Sequence, residues 1–383
     1  MELLRIVADG LPLFKDRLDL TFYAQQRVAE EHKCALRHLF SNVYLNTANA
    51  FIGVNASGKT SVLRLISFVL DLIGSKPINH SETKSILGKT ERAKFEIYFY
   101  TKSVKEICKL QTEIETRENN YVITKETLWT KSEKEITTRK RLLDFEHKEP
   151  YIIRNTAEMF LSDDVSITIA YNKKAKEMFS VANLLALTNF NVLLLPEVVP
   201  PEVISFLDPA VERVSYDTNG EKNLVHLKFY GKDELILNSH LELTDYLSSG
   251  TIKGMMVFTL ARHILRLGGY LIVDEIENHF NREIVVTLLR FFMDQNINKN
   301  GAVLFFSTHY PDLLDEYERN DGIFITRNRG GVTVENLSAI LKRNDIKKSE
   351  AYQSGFLEGT TPFYDAYTAL KKNMMAAVTQ ERV

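Results

Sequence analysis

The chain has 383 residues, of which 44% are apolar and 26% charged, ordinary proportions for a globular protein with ample material for a core. A formal net charge of −2 excludes a global electrostatic attraction to nucleic acid or to an anionic membrane. Two cysteines, Cys34 and Cys108, have neither pairing nor metal-binding spacing, which excludes a disulfide scaffold and predicts a reducing compartment. The opening Met1-Glu2-Leu3-Leu4-Arg5 is no signal peptide. No apolar run reaches the length of a membrane span, and the stretch after residue 60 is broken by Arg64 and Asp71. A soluble cytoplasmic protein of one large or two smaller units is expected.

Residues 1–30 read as short strands, with Leu18, Leu20, Phe22 and Ala24 alternating with Asp19, Thr21 and Tyr23. Glu30-Glu31-His32-Lys33 reads as a loop or short helix. Asn49-Ala50-Phe51-Ile52 is the end of a buried strand. Gly53-Val54-Asn55-Ala56-Ser57-Gly58-Lys59-Thr60 follows, then an amphipathic helix from Ser61 to about Ile73, stopped by Gly74 and Pro77. The octet fits G-x-x-x-x-G-K-[ST], the phosphate-binding P-loop. Gly53 and Gly58 let backbone N–H groups curl around phosphates, and a helix start adds a favourable dipole. Candidate phosphate contacts are therefore Gly53, Asn55, Ala56, Ser57, Gly58, Lys59, Thr60 and Ser61. Lys59 would reach the β- and γ-phosphates, and the Thr60 hydroxyl would ligate Mg²⁺.

From Ala93 to about Leu143 the pattern is β. Phe95, Ile97 and Phe99 alternate with Glu96, Tyr98 and Tyr100, and Glu118-Asn119-Asn120 suits a hairpin turn between Ile107–Arg117 and Tyr121–Thr130. Arg139-Lys140-Arg141 is basic, but residues 101–150 hold eleven Lys/Arg against ten Asp/Glu, so a solvated hairpin face is favoured over a nucleic-acid contact. Thr156–Leu187 is predicted to be helical. Val192-Leu193-Leu194-Leu195-Pro196 reads as a buried strand ended by proline, and Val198-Val199-Pro200-Pro201 as a rigid connector. Asp217-Thr218-Asn219-Gly220 is a turn between Val214-Ser215-Tyr216 and Leu224–Tyr230, and Glu234–Leu237 is a further strand.

The C-terminal half carries a second cluster. Gly269-Tyr270-Leu271-Ile272-Val273-Asp274-Glu275 is an apolar strand ending in two carboxylates, the Walker B pattern. Asp274 would hold Mg²⁺ directly or through water, and Glu275 would polarise or position an attacking water. Leu247-Ser248-Ser249-Gly250-Thr251 precedes a helical run that separates Gly250 from Asp274. Ala302–His309 is another buried strand, and its histidine follows Glu275 in the chain. In this order the motifs resemble those of ABC-type ATPases. The resemblance implies that Ser248, Ser249 and Gly250 form the signature motif, closing over the γ-phosphate of ATP held by another subunit. A plain serine N-cap is the alternative reading of that segment. The resemblance also implies that His309 is the switch histidine, that Lys59, Glu275 and His309 are catalytic, and that Thr60 and Asp274 bind the metal. Glu277-Asn278-His279-Phe280 occupies the D-loop position but departs from its common form. The Q-loop glutamine is not placed; Gln111 lies in the β-rich part.

Lys59 and Asp274 stand far apart in the chain, a wide separation that resembles the SMC/RecF branch. The Asp-Glu-Ile-Glu-Asn-His, Leu-Ser-Ser-Gly-Thr and Ser-Thr-His-Tyr-Pro-Asp-Leu-Leu segments look like AAA family ATPases of anti-phage loci, of the overcoming-lysogenisation-defect, PARIS, AbiL and Septu types. The resemblance covers residues 1–100 and 240–345. It implies an α/β P-loop NTPase fold of the ABC ATPase type, with a mixed central sheet, flanking helices, and a β-rich plus helical insertion between the halves. The expected divisions are an N-terminal ATPase lobe (1–100), an inserted arm or lid (101–240), a C-terminal lobe (241–337) and a tail (338–383) that packs on the core or docks a partner. Expected ligands are ATP and Mg²⁺. Expected partners are a second copy of the chain and a separate nuclease or toxin effector, with DNA as a further partner and no membrane. A RecF-like, ATP-dependent DNA-binding protein of repair is the alternative.

Overall fold

The computed structural model describes residues 1–155, 161–188, 199–217, 224–278, 280–359 and 364–380. The N-terminal part forms β1 (Glu2–Asp9), β2 (Leu18–Thr21), the hairpin β3 (Leu36–Phe40) and β4 (Val43–Asn46), β5 (Ala48–Ile52) and helix α1 (Lys59–Ile73). Three long strands follow: β6 (Ala93–Thr101), β7 (Glu106–Arg117) and β8 (Asn120–Ser132). The β7–β8 turn places Glu118 and Asn119 at φ 47° and 68°, the two consecutive left-handed residues of a tight hairpin. Next come β9 (Ile152–Ile153), α2 (Thr168–Ala175), β10 (Ser180–Asn183), α3 (Pro201–Leu207), β11 (Val211–Asp217), β12 (Leu224–Phe229) and β13 (Leu235–Leu237). The C-terminal part holds α4 (Ser249–Leu267), β14 (Gly269–Val273), α5 (Arg282–Met293), β15 (Val303–Thr308), β16 (Ile323–Asn328), β17 (Val332–Asn336), α6 (Leu337–Ile340), α7 (Lys348–Gln353) and α8 (Tyr364–Gln380).

Two six-stranded sheets dominate. One is antiparallel, in the order β2-β1-β6-β7-β8-β9; the other runs β10-β14-β15-β5-β16-β17 and is parallel except for β17. The strands after Thr101 thus continue the sheet that β1 and β6 begin, and β11-β12-β13 form a separate small sheet.

Alternation along the parallel strands divides the interior in two, because successive side chains point to opposite faces. Phe51, Ile272, Phe305 and Phe324 face a core shared with α1 and the antiparallel sheet. Ala50, Ile52, Leu271, Val273, Leu304, Phe306 and Ile325 face a second core shared with α4, α5 and the small sheet. Helix α1 lies in the first core with Val62, Leu65, Ile66 and Val69 fully buried. Each such side chain contributes about 1.5–3 kcal/mol, so the helix that carries Lys59 and Thr60 is anchored along its whole length.

Two expectations are corrected. Of the predicted helix Thr156–Leu187, only α2 is α-helical among the described residues, and Ser180–Asn183 instead pairs in parallel with Gly269–Ile272 as β10. Long-range strand pairing overrides local propensity there. Pro200 and Pro201 do not form a mere connector: they cap and open α3, where a fixed φ and a missing N–H suit the first turn. In the tail, Tyr352 is buried in the second core, whereas Phe356 and Tyr367 are 65% and 57% exposed. The predicted strand Val192–Pro196, the Thr218-Asn219-Gly220 turn, His279 and Phe363 lie outside the described residues.

Candidate functional site

The C-terminal ends of β5, β14, β15 and β16 converge on one cavity of about 440 Å³, lined by Leu13, Asn55, Ala56, Ser57, Gly58, Lys59, Thr60, Ser61, Glu275, His309, Asn328 and Val332. The glycine loop between β5 and α1 forms its floor. Gly58 is the N-cap of α1 at φ 97°, a conformation that favours a residue without Cβ. A Cβ on Gly53 would stand 2.4 Å from Ser57 Oγ and from both Thr326 oxygens. The loop is braced from β16: Ser57 and Thr326 hydroxyls meet at 2.7 Å, and Asn328 Nδ2 donates to the Ala56 carbonyl at 3.0 Å.

Lys59 reaches back across the loop. Its Nζ donates to the carbonyls of Gly53 at 3.0 Å and Val54 at 3.3 Å, and lies 3.5 Å from His309 Nδ1. Burial holds its pKa below the ordinary lysine value, and Asp274, Glu277 and Glu275 oppose that shift. A buried ammonium with neutral partners favours an anion brought to it. Thr60 Oγ1 donates to Asp274 Oδ2 at 2.7 Å. Ser307 Oγ donates to Asp274 Oδ1 and accepts the Glu275 N–H at 2.7 Å. Glu275 has φ 46°, an uncommon conformation for a residue with a side chain. Its Oε1 lies 3.7 Å from His309 Nε2, and both side chains are partly exposed.

These residues fit a nucleoside triphosphate with a divalent cation. The loop turned on Gly53 and Gly58, the start of a 15-residue helix and the buried Lys59 suit a polyphosphate. Thr60 and Asp274 supply two hard oxygen donors, the kind that would hold Mg²⁺. Among the described residues no group of three or more His, Cys, Asp or Glu side chains is arranged to hold a metal by itself.

The structure therefore brings together Gly53, Asn55–Ser61, Asp274, Glu275 and His309. It does not bring Ser248, Ser249 and Gly250 to them: none of the three lines the cavity. Ser248 is the N-cap of α4, its Oγ accepting from the Thr251 N–H at 3.0 Å. Gln111 is also remote, donating to Glu96 on the antiparallel sheet at 2.9 Å. Sequence reasoning missed Ser307, Glu277, Thr326 and Asn328. The first two lie within motifs already noticed. Thr326 and Asn328 carry no local signal, because their roles arise from the β5–β16 pairing.

No family model matches the chain, and no curated protein matches it. Solved structures that match the chain include an SMC head domain from Thermotoga maritima, 11% identical over 88% of this chain and 99% of that one, with a TM-score of 0.45. Another is the recombination mediator protein RecF with ATP, of the RecFOR pathway, 10% identical over 88% of this chain and 97% of that one, with a TM-score of 0.39.

Proposed function

We propose that the chain is an ATP-binding and ATP-hydrolysing ATPase of the ABC/SMC-like type. The observation that carries this reading is one cavity uniting Asn55–Ser61 of the glycine loop and helix start with Glu275 and His309, with Asp274 bonded to Thr60 beside it. In the proposed mechanism the loop N–H groups and Lys59 bind the phosphates, and Thr60 and Asp274 would hold Mg²⁺, which would supply charge neutralisation there. Glu275 orients the attacking water and accepts its proton, and His309 supports the γ-phosphate side. By the motif resemblance, Ser248, Ser249 and Gly250 close over the γ-phosphate of a nucleotide held by a second copy. ATP then joins two copies, and hydrolysis releases them.

The finer reading rests on the motif resemblance: the ATPase state gates a separate nuclease or toxin effector in anti-phage defence in the cytoplasm. Residues 1–100 and 241–337 are taken as the two lobes and 101–240 as the stretch between them, whose β7, β8 and β9 extend the sheet of β1 and β6 and whose β10 joins the parallel sheet; the tail, 338–383, packs on the core or docks the partner. The test is Glu275→Gln. It should bind ATP, turn over about 100-fold more slowly or worse, and accumulate ATP-bound dimers in sedimentation. Lys59→Ala should lose nucleotide binding. Wild-type turnover by Glu275→Gln would remove Glu275 from the reaction.

A further inference from the structure

Strands β14 and β15 are parallel neighbours, and the chain leaves both at the cavity. Where parallel strands end, backbone N–H groups lose their ladder partners and need others. Here each exit loop is satisfied by a side chain from the other. Ser307, the second-last residue of β15, accepts the Glu275 N–H through Oγ, and its carbonyl accepts the Ile276 N–H at 3.0 Å. In return Glu277 accepts the His309 N–H through Oε1 at 2.5 Å.

Exposure follows the same division. Ser307 and Glu277 are 0% and 8% exposed, whereas the Glu275 and His309 side chains that they brace are 41% and 30% exposed. Two accessible groups stand on two buried ones. The left-handed Glu275 backbone has its N–H fixed by Ser307, a strained conformation that persists only where its surroundings over-determine it. Glu277 is itself largely buried, with its Oε1 accepting the His309 N–H.

We infer that Glu277 and Ser307 form a reciprocal clamp that sets Glu275 and His309 against one another, with Glu277 the positioning residue for His309. The clamp deepens the ATPase reading and relies on it for the chemistry alone. Its test compares wild type, Glu277→Ala, Glu277→Gln and Ser307→Ala by three measurements. These are native-state amide exchange without nucleotide, affinity for a fluorescent ATP analogue, and kcat. In Glu277→Ala the His309 amide should exchange at least about 10-fold faster, and kcat should fall about 10- to 100-fold from misplacement of the histidine, with affinity held within about 3-fold. Glutamine keeps a carbonyl acceptor, so Glu277→Gln should retain amide protection and recover kcat to within about 5-fold of wild type. Ser307→Ala should free the Glu275 amide in the same way.

Unchanged kcat in Glu277→Ala, a Glu277→Gln as impaired as the alanine variant, or an unprotected His309 amide in wild type would each overturn the clamp. If Glu277→Ala does not fold, the wild-type and glutamine exchange data decide. A wild type without turnover would sink the ATPase reading yet leave the exchange comparison intact.

Discussion

At Gly53 the close approach is to backbone as well as side chain. An added Cβ would meet the Thr326 carbonyl oxygen at 2.4 Å, together with the Ser57 and Thr326 hydroxyls. The hydroxyls can rotate away; the carbonyl belongs to a paired strand and cannot. Gly53→Ala should therefore cost about 1–3 kcal/mol in urea denaturation, the usual penalty of overpacking, and abolish nucleotide binding by pushing the loop off β16. An unchanged midpoint would mean that the loop is looser than its contacts indicate. The glycine itself was legible from the motif, but the reason for it was not. Thr326 belongs to the far end of the chain, and no local pattern announces that its strand runs beside β5. Lys59 was legible from the glycine octet, and Asp274, Glu275 and His309 because each follows an apolar run at a strand terminus.

Among the elements, α1 and α4 differ in how they begin. Helix α1 opens on Gly58, with no side chain to cap it, so its first N–H groups are left for a ligand. Helix α4 opens on Ser248, whose hydroxyl accepts the Thr251 N–H. Removing that cap should cost about 1 kcal/mol. Ser248→Ala should thus lower the unfolding midpoint in the absence of nucleotide, and Ser248→Asp should restore it. A midpoint unmoved by alanine would leave the hydroxyl for another purpose alone. Strand β5, helix α1 and the β7–β8 hairpin were readable because their periods and punctuation are local: a buried run, a glycine stop, two turn residues. The β10 edge strand was not. Its Ser-Val-Ala-Asn sequence has little β character, and its pairing with β14 decides its conformation.

Across the whole molecule, the two sheets and α1 enclose one core while α4, α5 and the small sheet close the other. Helix α8 stands outside both: Tyr367, Leu370, Met374 and Met375 are 57%, 56%, 59% and 62% exposed. Truncation after residue 363 should therefore leave the melting temperature within about 2 °C, since a 1 kcal/mol loss would move it by roughly 2–4 °C or less in a chain of this size. A larger fall in calorimetry would show that the helix packs in solution. The composite cavity has a further consequence during synthesis. The glycine loop leaves the ribosome early, but Asn328, which braces it, is made 272 residues later (328 − 56). At about 5–20 residues per second the loop waits on the order of 14–54 s for its last wall. A nascent chain therefore cannot assemble the pocket piecemeal, and the cavity is complete only once the strand that carries Asn328 has been translated.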